Sequence, residues 1–81
     1  DEQRSGLFTM IEDNLQLPFE TIVLGVPVVV ESVELEENDI TAVCVRGGEK
    51  QAVPILKLPL PTPPPKGAEW IAAYRYWARG V

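Results

Sequence analysis

The chain has no histidine and only one cysteine, Cys44, among its 81 residues. An internal disulfide is therefore impossible, and the usual zinc sites built from cysteine and histidine are excluded. Catalytic dyads that pair a serine or a cysteine with histidine are excluded for the same reason. These absences predict that the protein is not an enzyme, and they leave oxygen-seeking hard cations as the expected metal partners.

Positive charge is also scarce, because seven Lys and Arg face twelve Asp and Glu, giving a formal net charge of -5. A duplex-binding surface needs clustered cations, so we expect no nucleic-acid partner. The longest apolar stretch, residues 22–30, is interrupted by Gly25 and Pro27 and falls short of the about 20 residues of a bilayer span, so we expect no membrane partner. No basic and apolar signal segment opens the sequence, which makes the cytoplasm the expected compartment.

The length allows one domain, residues 1–81. Its first segment, about residues 3–16, is predicted to be a helix because apolar residues recur there at three- and four-residue spacing. Pro18 prevents the helix from continuing, since proline has no amide proton. The last helix is predicted at about residues 68–79, with Trp70, Tyr74, Trp77 and Val81 on one stripe that we interpret as core.

Between the helices, β-branched residues predict four strands, at residues 19–24, 28–35, 40–46 and 51–58. Gly47-Gly48 is the clearest hairpin signal, because both residues can adopt positive φ. Short strands in meander order form a sheet too small to stay flat, so the sequence predicts an α+β fold with a small SH3-like, partly open barrel flanked by N- and C-terminal helices. Cys44 is expected to be a small core residue.

A proline-rich segment, residues 59–66, is expected to connect the strands to the last helix in an extended conformation. Its Pro61-Thr62-Pro63-Pro64 run also satisfies the PxxP pattern that docks to aromatic grooves. A stiff connector explains the same composition without a partner.

Carboxylates crowd two parts of the chain. The larger cluster contains Glu31, Glu34, Glu36, Glu37 and Asp39, and the smaller is the Glu12-Asp13 pair. Calcium takes about six to eight oxygen ligands in flexible geometry, and carboxylates supply them. An EF-hand is excluded, because a loop begun at Glu34 places Asp39 and Val45 where glycine and glutamate are required. Solvated surface charge is the other interpretation of both clusters.

Four motifs follow one another in a recognisable order. They are IEDNLQLPF at residues 11–19, Gly25 before a valine-rich strand, Gly47 followed by AVPI at residues 52–55, and WIAAYRYW at residues 70–77 with Gly80 after it. This order resembles a family of small calcium-binding proteins known from cyanobacteria, over about residues 8–81. The resemblance implies a compact acidic protein that buffers calcium without an EF-hand.

The sequence therefore predicts a small acidic protein that binds calcium, or another hard cation, through surface carboxylates. The expected ligands are Glu12 and Asp13 in one group and Glu36, Glu37 and Asp39 in a second. An interaction module that binds a protein partner and no ion is the alternative interpretation of the same chain.

Overall fold

The computed structural model describes residues 2–80. Two helices flank a four-stranded sheet, so the predicted α+β class is confirmed. The elements are α1 (Glu2–Asn14), β1 (Phe19–Val23), β2 (Val26–Leu35), β3 (Ile40–Arg46), β4 (Glu49–Pro54), a 3₁₀ turn (Ile55–Lys57) and α2 (Ala68–Arg79). Within residues 2–80, no helix is long and apolar enough to span a membrane.

The strands pair in the antiparallel order β1-β2-β3-β4 and form an open sheet. Gly47 and Gly48 adopt φ values of 57° and 83°, which confirms the predicted hairpin between β3 and β4. In β2, Val30 faces Cys44 and Ser32 faces Val43, so the register shifts at the residue between them. Such a bulge bends the strand and increases its twist.

The strand boundaries differ from the predicted ones at both hairpins. β2 begins at Val26 rather than at residue 28, because Leu24 and Gly25 form a two-residue turn with φ values of 50° and 78°. β4 runs from Glu49 to Pro54 rather than over residues 51–58, because the 3₁₀ turn takes residues 55–57. Short two-residue turns extend the pairing of the flanking strands, which the sequence pattern alone did not show.

Helix α1 ends at Asn14, two residues earlier than predicted. The amide of Gln16 donates to Lys66 O at 2.8 Å, in the connector. Gly67 follows with φ of 89°, and a Cβ atom there would lie 2.2 Å from Asn14 O. The end of α1 and the start of α2 are therefore packed backbone against backbone, and only glycine fits at residue 67.

The core lies between the helices and one face of the sheet. Its fully buried large side chains come from every layer: Ile11, Val30, Ile40, Ile55, Leu58, Ile71 and Tyr74. Cys44 is 4% exposed, so its predicted core role is confirmed, and burial raises the pKa of its thiol. Of the predicted aromatic stripe, Tyr74 is buried, Trp70 and Trp77 pack half-buried against the core, and Val81 lies outside the described residues.

Candidate functional site

The turn between β2 and β3, residues 36–39, carries three of the predicted ligands and is called the acidic turn below. The Glu36 amide donates to Asp39 O at 2.8 Å, which closes the turn. Asp39 Oδ1 accepts from the Ile40 amide at 2.8 Å and from the Tyr74 hydroxyl at 3.3 Å. The Asp39 carboxylate is therefore held against the body of the protein, while Glu36 and Glu37 are exposed.

The positively charged side chain of Arg4 lies beside the acidic turn. Arg4 of α1 lines a shallow depression of about 280 Å³ together with Ser5, Leu35, Glu36 and Glu37. Its guanidinium carbon lies 5.1 Å from the centre of the Trp77 ring, a cation–π arrangement. Arg4 Nε is buried without a hydrogen-bond partner among the described residues, and Arg4 forms no ion pair with Glu36 or Glu37 within 4.0 Å. The positive charge of Arg4 is therefore not neutralised by an ion pair with Glu36 or Glu37.

Glu12 and Asp13, the other predicted ligands, are exposed in the last turn of α1. At 1.5 Å per residue, Glu12 lies about 12 Å along the helix from Arg4. The Glu12-Asp13 pair is therefore near the end of α1, whereas Glu36 and Glu37 lie beside its first turn, so the two predicted groups do not form one site. Within residues 2–80, no three His, Cys, Asp or Glu side chains come together in a group that could hold a metal ion.

Arg75 of α2 has a structural role that the sequence did not indicate. Its Nε and Nη2 donate to Ile55 O at 3.2 and 2.8 Å, and Nη2 also donates to Leu58 O. Burial lowers the pKa of Arg75, because it penalises the charged form. The guanidinium joins α2 to the 3₁₀ turn. No local pattern signals this contact, since the two elements meet only in the folded chain.

A groove runs along the outer face of α2 and is called the α2 groove below. It has a volume of about 950 Å³. Its lining consists of Leu56, Leu60, Glu69, Ala72, Ala73, Arg75, Tyr76, Ala78 and Arg79. Tyr76 is 74% exposed and Leu56 is 44% exposed. The sequence analysis did not indicate this groove, because it considered only the stripe of Trp70, Tyr74 and Trp77 and gave Tyr76 no role.

No family model, no curated protein and no solved structure matches this chain.

Proposed function

We propose that the protein is a small, non-enzymatic acidic protein that binds calcium at the acidic turn. The observation that carries the proposal is the arrangement of residues 36–39. Three carboxylates occupy four successive positions in a turn whose backbone is closed by the Glu36–Asp39 hydrogen bond. Glu36 and Glu37 are exposed, and neither forms an ion pair among the residues that the structure describes.

Calcium suits this arrangement better than other cations do. Its coordination shell is flexible, and backbone carbonyls and water can complete a set begun by two carboxylates. Magnesium requires near-ideal octahedral geometry and gives up its water reluctantly, so an open turn favours it less. With few charged ligands, and with Arg4 beside them, the affinity is modest. Glu12 and Asp13 are a second, weaker locus, because two adjacent helix residues diverge and cannot clamp one ion unaided.

The resemblance to the cyanobacterial calcium-binding family supports the same proposal. We propose that the chain is a protein of that class, with an SH3-like barrel and a cytoplasmic location. The meander order of the four strands supports the barrel. The bulge in β2 supports it too, because added twist lets a short sheet curl.

Thermal unfolding in calcium and in magnesium tests the proposal. A ligand that binds only the folded state stabilises it by RT ln(1 + [L]/Kd), about 2.7 kcal/mol at a hundredfold excess over Kd. Magnesium is the control, because Debye screening treats the two divalent ions alike. We expect calcium to raise the Tm more than equimolar magnesium does, because only calcium binds specifically at the acidic turn.

The matched variants locate the effect. Glu36→Gln combined with Glu37→Gln should remove the difference between the two ions. Glu20→Gln combined with Glu49→Gln makes the same change in net charge at exposed positions on β1 and β4 and should preserve it. Equal Tm shifts from both ions in the unaltered protein would contradict calcium binding.

A protein-interaction role is the second candidate function. The observation that favours it is the α2 groove, where a large aromatic side chain and a leucine face solvent. A partner that covers these two side chains would remove their apolar surface from water, which favours association. A protein-binding role at α2 is compatible with calcium binding at the acidic turn.

A further inference from the structure

We propose that the α2 groove binds an acidic, amphipathic segment of a partner protein, one that places apolar side chains next to carboxylates. The proposal rests on the second candidate function and names the chemistry of the partner. Its apolar part comes from Leu56 and Tyr76, which are both exposed at the groove. Ala72 and Ala73 lie between Tyr76 and Glu69 in the lining, and their small side chains allow a partner backbone to approach closely.

Tyr76 and Arg79 form the anchor of the groove. The Arg79 guanidinium carbon lies 5.3 Å from the centre of the Tyr76 ring. Tyrosine and arginine are enriched among the few residues that dominate the binding energy of protein interfaces, because each offers a large contact area together with directed hydrogen bonds. Stacking restricts both side chains before a partner arrives, which lowers the entropy lost on binding.

The charges that line the groove favour an acidic partner. The chain carries a net charge of -5, yet the groove contains Arg75 and Arg79 against one carboxylate, Glu69. Neither arginine forms an ion pair in the described part of the chain. Arg75 uses Nε and Nη2 on the carbonyls of Ile55 and Leu58, which leaves Nη1 to donate elsewhere. A partner carboxylate would neutralise this local excess of positive charge, whereas a basic segment would be repelled.

A second copy of the chain is a poor occupant. Two molecules that each carry -5 repel one another as they approach. The acidic segment of another protein needs to bring only a few carboxylates to the two arginines, so its repulsion from the rest of the surface is smaller.

Peptide titration of the full chain tests this proposal. The probes are three acetylated and amidated peptides, Leu-Asp-Glu-Leu-Phe, Leu-Asn-Gln-Leu-Phe and Leu-Lys-Lys-Leu-Phe. Binding is detected by changes in the amide NMR chemical shifts of the labelled protein, in a buffer that contains EDTA. We expect saturable shifts at Leu56, Ala73 and Tyr76. The acidic peptide should bind about threefold to tenfold more tightly than the neutral one, the range for one or two exposed ion pairs. The lysine peptide should bind most weakly.

Two variants, each with its own control, separate the contribution of the anchor from that of the net charge. Tyr76→Ala should weaken binding of the acidic peptide about tenfold or more, while Tyr76→Phe retains most of it. Arg79→Glu should remove the preference for the acidic peptide over the neutral one. Arg46→Glu makes the same change in net charge at the end of β3 and should leave that preference intact.

Several results would overturn the proposal. They are the absence of groove shifts at millimolar concentrations of all three peptides, equal binding of the acidic and neutral peptides, and shifts confined to another surface. Sedimentation showing a dimer broken by Tyr76→Ala would assign the groove to a second copy instead. The Tm difference between calcium and magnesium, measured on the Tyr76→Ala variant, reports on the acidic turn alone, so failure of one proposal is distinguishable from failure of the other.

Discussion

The Asp39 carboxylate accepts a hydrogen bond from the Tyr74 hydroxyl, with 3.3 Å between Oδ1 and the phenolic oxygen. Tyr74 is 1% exposed and belongs to the core face of α2, whereas Asp39 belongs to the acidic turn. The contact spans 35 positions of sequence and connects the proposed calcium site to the second helix. Because the same oxygen also accepts from the Ile40 amide, the carboxylate has a fixed orientation.

Tyr74→Phe should therefore act on both stability and calcium binding. Loss of one partly buried hydrogen bond costs about 0.5–1.5 kcal/mol, which urea unfolding of the calcium-free protein can measure. The calcium affinity should fall as well, since Asp39 loses one of the contacts that orient it. Tyr76→Phe is the control, because Tyr76 is exposed and lies in the α2 groove beside Arg79. A Tyr74→Phe variant with unchanged unfolding free energy would show that the contact contributes nothing.

Removal of the Arg4 charge beside the acidic turn should strengthen calcium binding. Arg4 repels a divalent cation at Glu36 and Glu37, by an amount on the order of 1 kcal/mol at a surface position. We expect Arg4→Gln to lower the calcium Kd about fivefold, the same energy expressed as a ratio. Arg46→Gln removes an equal charge at β3 and serves as the control. Equal gains in the two variants would mean that only the net charge matters.

The contact between Gly67 and α1 gives a sharp test of the fold. Gly67→Ala should cost more than about 2 kcal/mol, because alanine is disfavoured at φ of 89° and its Cβ would lie 2.2 Å from Asn14 O. Gly6→Ala is the matched substitution within α1, where an added Cβ meets nothing within 4 Å. It should stabilise the protein by about 0.5–1 kcal/mol, since alanine favours helix more than glycine does. Chemical denaturation compares the two, and similar values for both would refute the close packing at residue 67.

Arg75 should not tolerate replacement by lysine. A lysine ammonium is a single point charge and cannot reproduce the planar guanidinium that serves the carbonyls of Ile55 and Leu58. A buried carbonyl left without a donor costs about 1–3 kcal/mol, so we expect a loss of that size in the free energy of unfolding. Arg79→Lys, at an exposed position of the same helix, should change it by less than about 0.5 kcal/mol. Equal effects at the two positions would show that the Arg75 contacts are dispensable.

Local sequence signals predicted some elements accurately, although the bounds of β2 and β4 differed from the prediction. The bounds of β3 and α2, residues 40–46 and 68–79, match the predicted ranges, and so does the turn at Gly47-Gly48. Each is marked by residues within the element itself: β-branched residues, a pair of glycines that adopt positive φ, or a helical stripe. The predicted end of α1 was wrong by two residues because Gln16 bonds to Lys66, which is 50 positions away.

The candidate site was predictable only in composition. The sequence identified which residues carry carboxylates, because an acidic run is visible without a fold. It did not show that Glu12 and Asp13 lie far from the acidic turn, that Asp39 bonds to Tyr74, or that Arg4 lies beside Glu36 and Glu37. These relationships depend on how α1 and α2 pack against the sheet and against each other.

By itself, the sequence determined the class of fold, the order of its elements, the burial of Cys44 and the surplus of negative charge. Those properties follow from residue type and short-range periodicity, which act over a few positions of chain. Only the tertiary structure decided the fixed orientation of Asp39, the bonding of Arg75 to the 3₁₀ turn and the exposure of Tyr76 in a groove. Each of these depends on atoms that become neighbours only when segments far apart in sequence pack together. A local sequence pattern does not show which distant segments will meet.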